Sequence, residues 1–289
     1  MYNLSQRNSV FIRLLKPGYH YPSNCFKHRD ALYYPSENVV FIVTKSQPSE
    51  YEAITYTEIA IWAPGEIRLL GALMLSVPEE GGVVIFSPWC LSVVPHIPFN
   101  ADLSSDSIIA SCLEFAVRLR TELEESNRTK YVLYKANRSA PDVEKSLFEN
   151  IDPTDGLLIR GLYTLMKSQL LIHTDPYLFM EEAFINLQIS IEAALQIIRE
   201  HLSYLGNPNP SYRDAHDYIR SNFRLGDPLV EYLHMQYESW IETKHPLNIY
   251  GAEWAPSLSA DDVFETYGPL ISIYSHIVLD EPGRSSMLP

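Results

Sequence analysis

The stretch Phe184-Ile185-Asn186-Leu187-Gln188-Ile189-Ser190-Ile191-Glu192-Ala193-Ala194-Leu195 decides how the second half of the chain folds. It lies within a segment, residues 176–202, whose apolar positions follow a helical period. Phe184, Leu187, Ile191, Leu195, Ile198 and Leu202 step by three and four, so they line one side of a helix. Gln188, Glu192 and Gln196 stand at i, i+4 spacing beside that stripe and form a polar line. Glu192 reads as part of a solvated face, with a buried anchor toward His245 as the alternative. Pro176 sits just inside the helix start, and Gly206-Asn207-Pro208-Asn209-Pro210 breaks the chain after it.

Working outward, the helical pattern continues on both sides. Asp155 can cap a helix over 156–171, and Ser211 can cap a short one reaching Phe223. Asp227-Pro228 opens another that reaches His245, where Pro246 disfavours the helical conformation of the residue before it. Ser259, with Asp262 three residues on, resembles a capping box for a last helix to about Leu279. The expectation is a four- or five-helix bundle over 155–280, followed by a frayed tail over 281–289.

The first half reads differently. Residues 10–15 and 39–44 are short β-branched runs, and 54–62 is β-prone and ends at the turn signal Pro64-Gly65. Residues 67–77 follow at hairpin distance, and Gly81-Gly82 introduces 83–87, so an antiparallel meander is expected. The span 88–98 holds three prolines, Trp89 and His96, and reads as an irregular loop. Asp106 or Ser107 can cap a helix to about Glu125, with a further strand over 130–136. This predicts an α+β domain over 1–140, an antiparallel sheet with a packed helix, then a linker or short helix over 141–154.

Bulk properties bound the function. At 289 residues with 46% hydrophobic and 20% charged residues, the chain is globular and long enough for two domains. Residues 1–150 carry 14 Lys+Arg against 17 Asp+Glu, a net of −3, whereas residues 151–289 carry 8 against 19, a net of −11. Nucleic-acid binders show a basic footprint, and this half shows the reverse. Cys25, Cys90 and Cys112 are few and far apart, which fits a reducing compartment. With no leader pattern at the start and no apolar run near ~20 residues, a cytoplasmic protein without membrane contact is expected.

Motifs for nucleotide, hydrolase and zinc-protease chemistry are absent from the sequence. Cys25-x-x-His28, with His20, Cys90 and His96, has zinc-ligand residue types, yet supplies a single closely spaced pair where a closed site needs four ligands. No metal and no cofactor are expected. The 19 tyrosines include several in 204–250, a composition that suits interfaces.

The segment from Phe179 through Leu195 resembles the long second helix of HEPN domains. The later pattern Leu233…Tyr237…His245-Pro246…Gly251 resembles the part of that family that bears the active site. The resemblance covers about residues 155–280. It implies an all-α bundle that pairs as a homodimer, and a setting in prokaryotic antiviral defence or stress response. In active members an arginine precedes the histidine by five to seven positions and grips the phosphate while the histidine moves a proton. Here those positions are Glu238, Ser239 and Trp240, and none is cationic. Lys244 cannot supply a bidentate fork, and Glu242, on the face of His245, repels a phosphate unless it orients the imidazole. Trp240 and Tyr237 are read as packing or interface residues.

The sequence therefore points to a non-catalytic binding or assembly protein with a degenerate HEPN-like bundle and a protein partner. The alternative is a metal-independent endoribonuclease that acts on RNA through His245, Glu242 and Lys244. It would take its arginine from Arg220, Arg224 or a second subunit.

Overall fold

The computed structural model describes residues 8–46, 62–77, 84–123, 129–135, 141–176, 178–223 and 260–279. The chain divides into two compact units, Met1–Thr154 and Asp155–Pro289.

The first unit is built on β1 (Ser9–Leu15), β2 (His20–Pro22), β3 (Phe26–Lys27), β4 (Ala31–Pro35) and β5 (Val40–Ser46). Then come α1 (Pro64–Leu75), β6 (Pro88–Val93), α2 (Asp106–Glu122), β7 (Val132–Tyr134) and α3 (Pro141–Asn150). Five strands form one antiparallel sheet in the order β3-β4-β5-β1-β6, and β2 pairs with β7 in parallel. This is an α+β arrangement, but the sheet is no meander in sequence order: Ile12 faces Val43 on one side and Ser92 on the other. The reason is visible in β1, whose Val10 to Leu15 are buried on both faces, as a central strand must be. Val10, Ile12 and Leu14 join Ile109, Cys112 and Ala116 of α2 in one core. Phe11, on the other face, packs with Ala63 just before α1.

Three expectations fail here. Residues 67–77 do not form a strand; α1 covers them. Leu-Leu-Gly-Ala-Leu-Met lacks β-branched side chains, Pro64 stands at a first-turn position, and Glu66 reaches back to accept the Ala63 amide at 2.8 Å. Val84 to Ser87 form no ladder, and the strand lies instead at Pro88–Val93, inside the span expected as a loop. Pro88 is tolerated there because it is the first residue of an edge strand. The predicted strand over 54–62 lies outside the described residues except for Trp62.

Glu66 also ties α1 to the sheet. Arg13 donates from Nε and Nη2 to its two carboxylate oxygens at 2.6 and 2.9 Å, and both side chains are essentially inaccessible to water. The Trp62 ring lies 5.0 Å from the guanidinium carbon. Helix α3 occupies the span read as linker or short helix and packs on α1. Arg68 of α1 closes its end, donating to the carbonyls of Phe148 (2.6 Å) and Glu149 (3.3 Å).

In the second unit, α4 (Gly156–Thr174), α5 (Met180–Tyr204) and α6 (Tyr212–Tyr218) precede a π-helical turn, Ile219–Phe223, and α7 spans Ala260–Leu279. Asp155 caps α4 by accepting from Leu157 and Leu158, as predicted. Helix α5 begins at Met180, later than Pro176. Asp175 instead holds a turn, accepting the Leu178 amide on its carboxylate and the Phe179 amide on its carbonyl, both at 3.0 Å. Leu187, Ile191, Leu195 and Ile198 are buried, as their spacing predicts. Ser211 and Asp214 form a capping box at the start of α6. The predicted helix to His245 and the tail over 281–289 lie outside the described residues. No helix among the described residues is long and apolar enough to cross a membrane.

Candidate functional site at the end of the long helix

Helix α5 stops because Gly206 takes φ 102°, a left-handed conformation that glycine adopts without a Cβ penalty. The Asn207 amide bonds back to the Leu202 carbonyl at 3.1 Å, and the chain turns through Pro208 and Pro210 into the Ser211 cap. This return brings the Pro210 carbonyl against α5, where it accepts from Arg199 Nε at 2.8 Å. Arg199 Nη1 donates to Gln196 Oε1 at 2.9 Å, and the guanidinium carbon lies 4.5 Å from the centre of the Tyr212 ring. The bond to Gln196 follows from sequence spacing, since Gln196 precedes Arg199 by three positions, which places the two side chains together on one helix face.

Glu192, one turn further back, accepts a hydrogen bond from the Tyr212 hydroxyl at 3.0 Å. Burial, and then this carboxylate, push the Tyr212 phenol above its ordinary pKa. Gln196 is bonded on both sides, since its Nε2 donates to Glu200 Oε1 at 3.1 Å. An open cleft of about 480 Å³ lies here, with Gln196, Arg199, Glu200 and Ser203 on one wall and residues 208–211 on the other.

The opposite side of the α5 terminus is aromatic. His201 Nε2 and the Tyr218 hydroxyl lie 3.2 Å apart. Tyr218 meets Phe223 edge-on, and Phe223 stacks on His276 of α7 with ring centres 4.8 Å apart. The π-helical turn carries Phe223 into that stack, and Arg220 within it pairs with Asp217 at 3.1 Å.

Of the residues singled out in the sequence, Glu192 is described, and it is half-buried and bonded. Gln188 of the same polar line is fully buried, so that line is not a solvated face. Tyr237, Trp240, Glu242, Lys244 and His245 lie outside the described residues, as does Arg224. Sequence reasoning missed Arg199. The signal for it is local charge: four of the eight Lys+Arg in residues 151–289 (Arg199, Arg213, Arg220 and Arg224) fall within 26 positions. That segment holds three acidic residues, Glu200, Asp214 and Asp217.

The Cys25 and His28 pair takes a structural form. His28 Nδ1 accepts the Asp30 amide at 3.1 Å, which leaves Nε2, 3.8 Å from Glu149 Oε1, to carry the proton of the neutral ring. Among the described residues no three His, Cys, Asp or Glu side chains group to hold a metal ion.

The chemistry available in the cleft is recognition. A guanidinium has more N–H donors than Arg199 uses on the Pro210 carbonyl, Gln196 and Tyr212, so the stacked, anchored group that lines the cleft keeps hydrogen-bonding capacity. No family model matches the chain, and no curated protein or solved structure matches it. The likeness to HEPN domains thus stands on the sequence alone.

Proposed function

We propose that this chain is a non-catalytic binding and assembly protein, and that its acidic helical unit recognises a partner without cutting RNA. The carrying observation is Arg199. Its guanidinium is stacked on Tyr212 and anchored to Pro210 and Gln196, and it lines the cleft. A side chain held in place before binding loses little entropy on binding, which favours recognition. Beside the cleft, Tyr204 and Leu205 are 66% and 61% exposed, residue types that interfaces favour. A homodimer through this unit, and a role in defence or stress response, belong to the same reading through the HEPN resemblance.

Incubating the purified protein with total RNA in EDTA tests the proposal, with His245→Ala alongside. No cleavage at any protein concentration is expected. Metal-independent cleavage that His245→Ala abolishes would establish the endoribonuclease reading instead.

A further inference from the structure

We infer that the cleft at the end of α5 is a binding site for a small zwitterion of the amino-acid class. The carboxylate of the ligand would be taken by Arg199 and its ammonium group by Glu200. The inference rests on the reading of the helical unit as a binding element and gives that element a ligand chemistry.

Arg199 and Glu200 carry opposite charges and line the same cleft. Gln196 stands between them: its carboxamide oxygen accepts from Arg199 and its nitrogen donates to Glu200. One amide thus holds a cation and an anion side by side while leaving both able to bond outward. Adjacent helix positions do not face each other, so without that bridge the two head groups would diverge.

The ligand charge follows from this pairing. A guanidinium lining the cleft suits a carboxylate, through a charge-assisted hydrogen bond from an N–H not used by its anchors. A phosphate dianion or a run of phosphodiesters would meet Glu200 at the same wall, within a half of the chain that carries −11. A ligand with separated positive and negative groups satisfies both walls. The volume, about 480 Å³, falls in the ordinary range for small-molecule sites. Ser203 and Ser211 add hydroxyls at the rim, and Pro208 and Pro210 supply the apolar wall for a short methylene chain.

Isothermal titration of the full chain at fixed ionic strength tests this, with L-lysine as the probe. Acetate, butylammonium, inorganic phosphate and the capped dipeptide acetyl-Glu-Lys-amide serve as comparison arms. Saturable binding of L-lysine is expected, with acetate and butylammonium each weaker by about tenfold or more, as expected for losing one charge-assisted contact. Arg199→Gln should weaken L-lysine by a similar factor. Glu200→Gln, at an exposed position with little effect on folding, should weaken L-lysine but leave acetate unchanged. Tighter binding of the capped dipeptide assigns the same chemistry to side chains of a polypeptide. Absence of saturable heat with both L-lysine and the dipeptide overturns the inference. Phosphate binding more tightly than L-lysine, or equal affinity in wild type and both variants, does so too. RNA cleavage lost in His245→Ala strikes the binding reading independently of these titrations.

Discussion

The hydroxyl of Tyr274, on α7, occupies the space in which a side chain on Gly161, in α4, would begin. That hydroxyl donates to the Ser190 carbonyl at 2.7 Å, and Ser190 Oγ in turn donates to the Gly161 carbonyl at 2.9 Å. Three helices therefore meet at one glycine, with Ala193 of α5 also in contact distance of the missing Cβ. Gly161→Ala should destabilise the helical unit by about 2–4 kcal/mol, from overpacking plus the displaced hydrogen bonds. Urea unfolding followed by circular dichroism measures it. Adding Tyr274→Phe should recover part of the loss; an additive double variant would show that the two residues do not compete for this space.

The Arg13–Glu66 pair is expected to behave as a buried ion pair does when one partner is removed. Arg13→Met should cost about 3–5 kcal/mol, because Glu66 is left charged and buried. Adding Glu66→Gln to Arg13→Met should restore stability in part, since the neutral amide oxygen still accepts the Ala63 amide. A single substitution that leaves the unfolding midpoint in place would refute the role given to this pair.

His28 gives the first unit a pH dependence whose sign can be fixed in advance. Burial lowers its pKa below the ordinary imidazole value, against the opposing pull of Asp30 and Glu149, while Arg68 and Lys145 add to the lowering. Protonation would also forfeit the Asp30 amide bond, because Nδ1 can no longer accept. The folded state thus binds the proton less readily than the unfolded chain. Its stabilising contribution is full above about pH 6.5 and declines as the pH falls through the folded-state value. His28→Asn keeps an acceptor for Asp30 but does not titrate. The stability difference between wild type and this variant should shrink on acidification from pH 7 to 5, and a flat difference would contradict the assignment.

The helical half was the more legible in sequence because its signals are redundant. In α5 the apolar stripe, the Gly206 break and the Ser211 cap all agree, and each took its expected place. The sheet was harder. Residues 69–75 are an unbroken apolar run, so periodicity could not separate a buried helix from a strand, and the deciding contact, Glu66 with Ala63 and Arg13, is partly long-range. Residues 88–93 begin with proline, and only an edge position makes that compatible with pairing. Arg199 escaped notice because an arginine near a helix C-terminus already has a bland explanation in the helix dipole. Its partners, Tyr212 and the Pro210 carbonyl, arrive only when the loop doubles back.

The place of β1 between β5 and β6 bears on how the first unit is made. Ser92 follows its partner Ile12 by 80 residues, so the ribosome releases the middle of the sheet long before one of its two neighbours. Until then an apolar strand waits with an open flank, the kind of surface that recruits other nascent chains. Closing so wide a gap is slow by comparison with the local helix pairing of the second unit. Chains cut short ahead of β6 should therefore clump, while the later helices, which meet close neighbours, assemble without that delay.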